Sequence, residues 1–328
     1  MGSKRSRSRG HENSWESPGR VGSDSGILES CSIGSHWAKE EIGLEPRIGV
    51  VGCGLMGSGI AEVCARSGLE VVVVESNKEA LMRGQDKVAS SLARAAKAGK
   101  ITELDREKSI ELLTFSEDLD ALFDRDIVIE AIVESENAKI EVFNRIDTIV
   151  KSETAILASN TSSIPIMKLA MATKRPASVI GIHFFNPVPV LPLVELVRSL
   201  LTSEVIEKKA QEFAEVLLHK TVIRSKDRAG FIVNALLIPY LLSAVRMFET
   251  GFASAEDIDQ GMVKGCAHPM GPLALTDLIG LDTTMAVAES LYEEFKEPLF
   301  APPPLLSRMC EAGLLGRKSG RGFYDYSK

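Results

Sequence analysis

Two side chains of the stretch between Gly181 and Leu196 are of the types that acid–base chemistry uses: His183, within Gly181-Ile-His-Phe-Phe-Asn-Pro187, and Glu195, alone in the apolar run Leu193-Val-Glu-Leu196. A carboxylate among apolar neighbours needs a partner, because burying an unpaired charge is costly. If the partner is His183, the carboxylate accepts one imidazole N–H, fixes the ring tautomer and favours the imidazolium. The other ring nitrogen then becomes a competent general base near neutral pH. A histidine in apolar surroundings is, taken alone, more often a satisfied core group, and its neighbours decide the matter. Ser162, twenty-one residues earlier, belongs to Ala158-Ser-Asn-Thr-Ser-Ser163, a polar cluster directly after an apolar run. Such a cluster lies at the carboxyl edge of a sheet, where doubly wound folds bind ligands; structural capping by the hydroxyls is the alternative.

A second site is written in Gly52-Cys-Gly-Leu-Met-Gly57, which follows Arg47-Ile-Gly-Val-Val51 and opens a helical pattern from Ser58 to Arg66 that Gly68 closes. The three glycines have separate jobs: Gly52 permits the tight turn, Gly54 lets the backbone approach a pyrophosphate, and Gly57 lets helix and strand pack closely. The helix N-terminus favours the anion. Glu75, twenty-three residues after Gly52, ends the run Val71–Val74. Its carboxylate can accept both adenosine ribose hydroxyls and would repel a 2′-phosphate, so the expected cofactor is NAD rather than NADP, with Lys78 nearby the one feature that weakens the discrimination.

These residues need strands that end together. Buried strands are expected at Arg47–Val51, Val71–Val74, Ile127–Ile129, Ala155–Ala158 and Val179–Ile182, with helices over 78–100 and 138–150. Strands alternating with helices make a parallel sheet. Beyond Arg228-Ala-Gly-Phe231 only helical periodicity broken by Pro and Gly remains. The expected fold is α/β, a Rossmann-type doubly wound, mostly parallel sheet over 47–228 followed by an all-α C-terminal domain over 229–328. Residues 1–46, rich in Ser, Gly and Arg, read as a disordered tail. A transit peptide would explain the Arg and Ser but not Glu12, Glu16 and Asp24.

The composition narrows the partners. With 38 basic and 45 acidic residues and a formal charge of -7, nucleic acid is excluded as a partner. The longest nearly apolar stretch, Phe231–Val245, falls short of the about 20 residues that span a bilayer, so no membrane partner is expected. Five scattered cysteines without a C-x-x-C pair speak against a metal site and for a reducing, cytoplasmic setting.

Taken together, the glycine turn, Ser-Asn-Thr-Ser-Ser163, His183-Phe-Phe-Asn-Pro187, Gly230-Phe-Ile-Val-Asn234, His268-Pro-Met-Gly-Pro272, Gly280-Leu-Asp282 and Gly320-Arg-Gly-Phe-Tyr324 resemble the L-3-hydroxyacyl-CoA dehydrogenase family, from about Arg47 to Tyr326. Ser163-Ile-Pro-Ile-Met167 and Pro187–Arg198 look most like its short actinobacterial 3-hydroxybutyryl-CoA members. The resemblance implies His183 as the base, Glu195 as its orienting acid, Ser162 as a hydrogen-bond partner of the substrate oxygen and Asn234 as a further active-site amide. Cofactor contacts would fall on Gly52, Gly54, Leu55, Met56, Gly57 and Glu75, with Glu134, Lys139, Asn160 and Asn186 on the ribose and nicotinamide side; Lys139 has a solvated helix residue as its plain alternative. The CoA handle of the acyl-CoA substrate would take Ser91 and Lys97, on a basic face with Arg94 and Lys100. A homodimer through the C-terminal helical domain is expected, because Ala235–Ile238 and Leu241–Val245 exceed what one small domain needs. Two rivals stay open: a sugar-acid dehydrogenase of the same superfamily, and a catalytically silent NAD-binding module.

Overall fold

Runs such as Val71–Val74 are β-branched and apolar on both faces, which suits a strand covered on both sides. In a computed structural model of the chain, which describes residues 46–327, such runs become the inner strands of an eight-stranded sheet. The tail expected at 1–46 lies outside the described residues apart from its last residue. The strands β1 (Ile48–Val51), β2 (Val71–Val74), β3 (Leu113–Ser116), β4 (Ile127–Glu130), β5 (Ile156–Ser159), β6 (Val179–Phe184), β7 (Leu193–Arg198) and β8 (Thr221–Lys226) are ordered β3-β2-β1-β4-β5-β6-β7-β8. Every residue of β1, β2, β4, β5 and β6 is buried. Pairing is parallel from β3 through β6 and again between β7 and β8, but β7 runs antiparallel to β6.

The helices α1 (Leu55–Arg66), α2 (Lys78–Lys97), α3 (Glu103–Glu111), α4 (Glu136–Ile149), α5 (Ile166–Met171) and α6 (Glu204–Glu212) cover the two faces, each of which has its own apolar core. A third core holds together α7 (Val233–Glu249), α8 (Ala255–Gly265), α9 (Pro272–Ile279), α10 (Leu281–Phe295) and α11 (Pro304–Glu311). The doubly wound sheet followed by a helical domain is the architecture expected from the sequence. Three strands went unread: β3, only partly buried, β7, interrupted by Glu195, and β8, which has no buried residue. The helix expected over 78–100 stops at Lys97, and the one expected over 138–150 is Glu136–Ile149.

The two domains meet through few but specific contacts. The Ala229 amide donates to Glu294 at 3.0 Å, the Arg228 guanidinium lies over the Phe295 ring at 4.3 Å, and Ser290 donates to the Ser163 carbonyl at 3.3 Å. Among the described residues no helix is long and apolar enough to cross a membrane, and no group of three or more His, Cys, Asp or Glu side chains could hold a metal ion.

The glycine turn is closed by steric necessity. Gly52 has φ +93°, and a Cβ at residue 57 would sit 1.9 Å from the Gly52 carbonyl oxygen. Gly57→Ala must therefore pry α1 off the turn, with an expected cost of about 3 kcal/mol in thermal denaturation and loss of dinucleotide binding. An unchanged melting temperature would contradict this packing.

Candidate active site

Parallel strands share one carboxyl edge, and the candidate groups gather there because β1, β4, β5 and β6 all end on it. The antiparallel step to β7 then brings in the second candidate group. It sets Glu195 directly opposite His183 in the register, so both side chains leave the same face of the sheet within reach of each other. His183 Nδ1 donates to Glu195 Oε2 at 2.9 Å, which leaves Nε2 as the nitrogen available for chemistry. Glu195 is fully buried and His183 is 6% exposed. The other carboxylate oxygen of Glu195 accepts the amides of Ile232 and Val233, both at 3.1 Å, at the start of α7. Phe185 and Phe231 flank the imidazole, with ring centroids 4.5 and 5.5 Å away. The chain reaches this position through Gly230 and Phe231 at φ +71° and +50°, a turn that delivers the two amides and, one residue on, starts Asn234 in the first turn of α7.

The polar cluster after β5 is wrapped around Glu134. Its Oε1 accepts from Thr161 Oγ1 at 2.5 Å, from the Ser162 and Ser163 amides at 3.0 and 3.2 Å, and from Ser163 Oγ at 3.0 Å, with Ser162 Oγ at 3.4 Å. Burial pushes this carboxyl up, but the Lys139 ammonium and the donors of the turn outweigh it, and the net shift is downward. Asn160 Oδ1 accepts the Phe184 amide at 2.9 Å, which ties the cluster to the end of β6 beside His183. Lys139 is no solvated helix residue: it is 1% exposed and paired with Glu130 at 2.6 Å. Nothing in its local sequence signals this, because Glu130 reads as the last residue of an apolar strand.

At the glycine turn a Cβ on residue 54 would meet nothing within 4 Å, so the space a phosphate needs is open, and α1 begins without an acidic residue in its first turn. These features fit a dinucleotide pyrophosphate. Glu75 is held against the turn by the Cys53 amide, which donates to its Oε1 at 2.7 Å, and by the Ser76 amide at 3.0 Å on Oε2. A carboxylate has about four acceptor positions, so room for ribose hydroxyls remains. Burial, and then the Glu75 charge, push the Cys53 thiol up to about 12, which keeps it protonated and unreactive. Leu55 is 66% exposed at the mouth of the turn, and Met56 packs against the sheet core.

A cleft of about 400 Å³ lies between α1, α2 and the segment 186–189, lined among others by Leu55, Lys87, Ser91, Arg94, Asn186 and Pro187. Ser91 thus faces a cavity, but Lys97 is not in the lining. The lining residues of α2 run from Asp86 to Arg94, and Lys97, the last residue of the helix, lies about one turn beyond them. The far wall is braced by Lys220, 9% exposed, whose Nζ donates to the carbonyls of Val188 and Leu191 at 2.6 and 2.8 Å.

Fold and site together define a dinucleotide-dependent oxidoreductase. The model of the 3-hydroxyacyl-CoA dehydrogenase NAD-binding domain matches residues 47–228, and that of the 3-hydroxyacyl-CoA dehydrogenase C-terminal domain matches residues 230–326. The chain belongs to the 3-hydroxyacyl-CoA dehydrogenase family. It is similar to a 3-hydroxybutyryl-CoA dehydrogenase of Mycobacterium tuberculosis, 59% identical over 280 residues that cover 85% of this chain and 98% of the relative. The crystal structure of M. tuberculosis FadB2 matches with a TM-score of 0.85 at 59% identity, covering 86% of this chain and 99% of that one. The (S)-3-hydroxybutyryl-CoA dehydrogenase PaaH1 of Ralstonia eutropha matches with a TM-score of 0.82 at 48% identity, covering 87% and 100%.

If Nε2 of His183 moves the proton and Glu195 holds the ring, the two should fail as a unit. His183→Gln is expected to lower kcat by about 10²–10⁴, and Glu195→Gln by a large fraction of that, with the double variant no worse than His183→Gln alone. Multiplicative losses in steady-state kinetics would show that the residues act separately.

Proposed function

We propose that this enzyme transfers hydride between NAD(H) and C3 of a short-chain 3-hydroxyacyl-CoA or 3-ketoacyl-CoA, with 3-hydroxybutyryl-CoA and acetoacetyl-CoA the favoured pair. The observation that carries the reading is the buried His183–Glu195 pair on the same sheet edge as the open glycine turn. The names of the similar proteins from M. tuberculosis and R. eutropha support the short acyl chain.

In the oxidative direction Nε2 of His183 accepts the C3 hydroxyl proton, while the Nδ1–H bond to Glu195 keeps the ring from turning and the carboxylate stabilises the imidazolium that forms. Ser162 and Asn234 donate to the C3 oxygen and favour its alkoxide character. In the reductive direction the same Nε2–H returns the proton. The nicotinamide, when bound, supplies the hydride acceptor or donor. Gly52, Gly54 and Gly57, with the Leu55 and Met56 amides at the start of α1, would hold its pyrophosphate, and Glu75 the adenosine ribose. Asn160 and Asn186 border the nicotinamide side. Lys87, Ser91 and Arg94 offer the cleft on α2 a hydroxyl and two cations for the phosphates of CoA.

The first test is the absorbance of reduced nicotinamide with acetoacetyl-CoA, with NADH against NADPH, and then with a longer 3-ketoacyl-CoA. Rapid oxidation of NADH confined to the short thioester is expected, and Glu75→Ala should cut the NADH preference by about tenfold or more, the worth of one charge-assisted contact. No turnover with either cofactor would sink the reading and favour the sugar-acid or silent alternatives.

We further infer a homodimer through the helical domain. Ile232, Leu236 and Met247, 39%, 73% and 42% exposed, lie within about 60° of arc along α7, which leaves an apolar stripe facing outward. A monomeric mass by sedimentation at micromolar concentration would rule the dimer out.

A further inference from the structure

One wall of the α2 cleft is a segment that cannot complete its own hydrogen bonds. Between Asn186 and Leu193, the residues Pro187, Pro189 and Pro192 have no N–H to donate. The amides that Val190 and Leu191 do offer both go to the Pro187 carbonyl, each at 2.9 Å, and close one helix-like turn. The next amide of such a turn would serve the Val188 carbonyl, but its place is taken by Pro192. The carbonyls at the end of the turn therefore need a donor from another part of the chain.

Lys220 supplies it. Its Nζ donates to the Val188 carbonyl at 2.6 Å and to the Leu191 carbonyl at 2.8 Å, and the residue is 9% exposed. A lysine that caps the last carbonyls of a turn takes the place of the missing amides. Among the described residues this ammonium forms no ion pair, and burial, then the charge of Arg66, push its pKa down. A buried cation without a carboxylate is held by its oxygen acceptors alone, so the ammonium and the two carbonyls depend on each other. The next residue adds a second tie, since the Thr221 amide donates to the Pro192 carbonyl at 2.7 Å. Against α1 the wall has no slack: a Cβ at residue 59 would lie 2.9 Å from Val188 Cβ.

We infer that Lys220 is a positioning residue for the acyl-CoA: by donating in place of the amide that Pro192 lacks, it fixes the wall at Pro187–Pro189 across the cleft from Ser91 and Arg94, and so sets the affinity for the CoA handle. That role rests on the reading of this cleft as the seat of CoA. The reacting end is left alone, because His183 and Glu195 are placed by strand register. A wall that must be ordered when the ligand arrives weakens binding by the cost of ordering it.

The test uses the full chain and two thioesters in NADH oxidation: acetoacetyl-CoA, and the N-acetylcysteamine thioester of acetoacetate, which has the same reacting end and lacks the nucleotide. For Lys220→Met the expected result is a KM for acetoacetyl-CoA raised about tenfold, with kcat and the KM for NADH within about threefold of wild type. Its kcat/KM with the truncated thioester should also stay within about threefold, and the Kd of free CoA in calorimetry should rise about tenfold. Equal losses on both thioesters would make Lys220 a support of the fold or of the reacting end, and an unchanged KM for acetoacetyl-CoA would leave the wall standing without it; either result overturns the inference. So would a raised KM for NADH alone. If Lys220→Met does not fold, Lys220→Gln, which is uncharged and one atom shorter, takes its place with the same deciding outcomes. Wild-type enzyme equally active on both thioesters would remove the CoA reading of the cleft, and the role of Lys220 with it. A wild type that favours acetoacetyl-CoA, beside a variant that binds CoA as tightly, would strike the role of Lys220 alone.

Discussion

The burial of one carboxylate, Glu195, constrains the rest of the molecule. A charge with no exposed surface is tolerable only if donors surround it, and its three come from two places: the imidazole on the neighbouring strand and the amides of Ile232 and Val233 at the head of α7. The group that orients the histidine is therefore also the group that seats the second domain. Phe231 shows how tightly the arrangement is held. A bulky residue at φ +50° is uncommon, yet here the left-handed turn aims the amides at Glu195 and lays the ring edge against His183.

The same device recurs around the carboxyl edge of the sheet. Glu75, Glu130, Glu134 and Glu195 each accept backbone amides from the loop they adjoin, at Cys53, Ile132, Ser162 with Ser163, and Ile232 with Val233. Charge-assisted bonds of this kind are the stronger class of hydrogen bond. Four carboxylates thus give fixed shapes to loops that would otherwise be the mobile part of the fold, and the cofactor and substrate groups are carried on those loops.

The sequence revealed the elements whose signals are local. The glycine turn, the buried strands β1, β2, β4, β5 and β6 and the helical character beyond Arg228 all follow from residue type and spacing within a few positions. What stayed hidden depends on residues distant in the chain. Glu195 breaks the apolar run of β7 and so masks the strand, although its pairing with His183 is what the strand provides. Lys139 on α4 looks like any lysine on a helix until the fold brings Glu130 beneath it. The cations of the α2 cleft are decided by how far along the helix the cleft reaches, which takes in Lys87 and Arg94 and stops short of Lys97, and no motif records where a cleft ends. The homologous chains fix the family and leave these side-chain choices to be read from geometry.

Residues 185–192 join β6 to β7 and include Asn186, Pro187, Val188 and Pro189 of the cleft wall. The pairing of His183 with Glu195 is set by strand register, in which a slip of one residue would send Glu195 to the opposite face. The connecting segment itself is free of that restriction, braced from behind by Lys220. Beyond Phe185, which flanks the imidazole, and Asn186, its sequence can drift without disturbing the catalytic pair. A descendant of this chain could thus acquire a differently shaped acyl or CoA pocket while inheriting its chemistry intact, so that diversification of substrate range and preservation of mechanism are assigned to adjoining but separable stretches of one polypeptide.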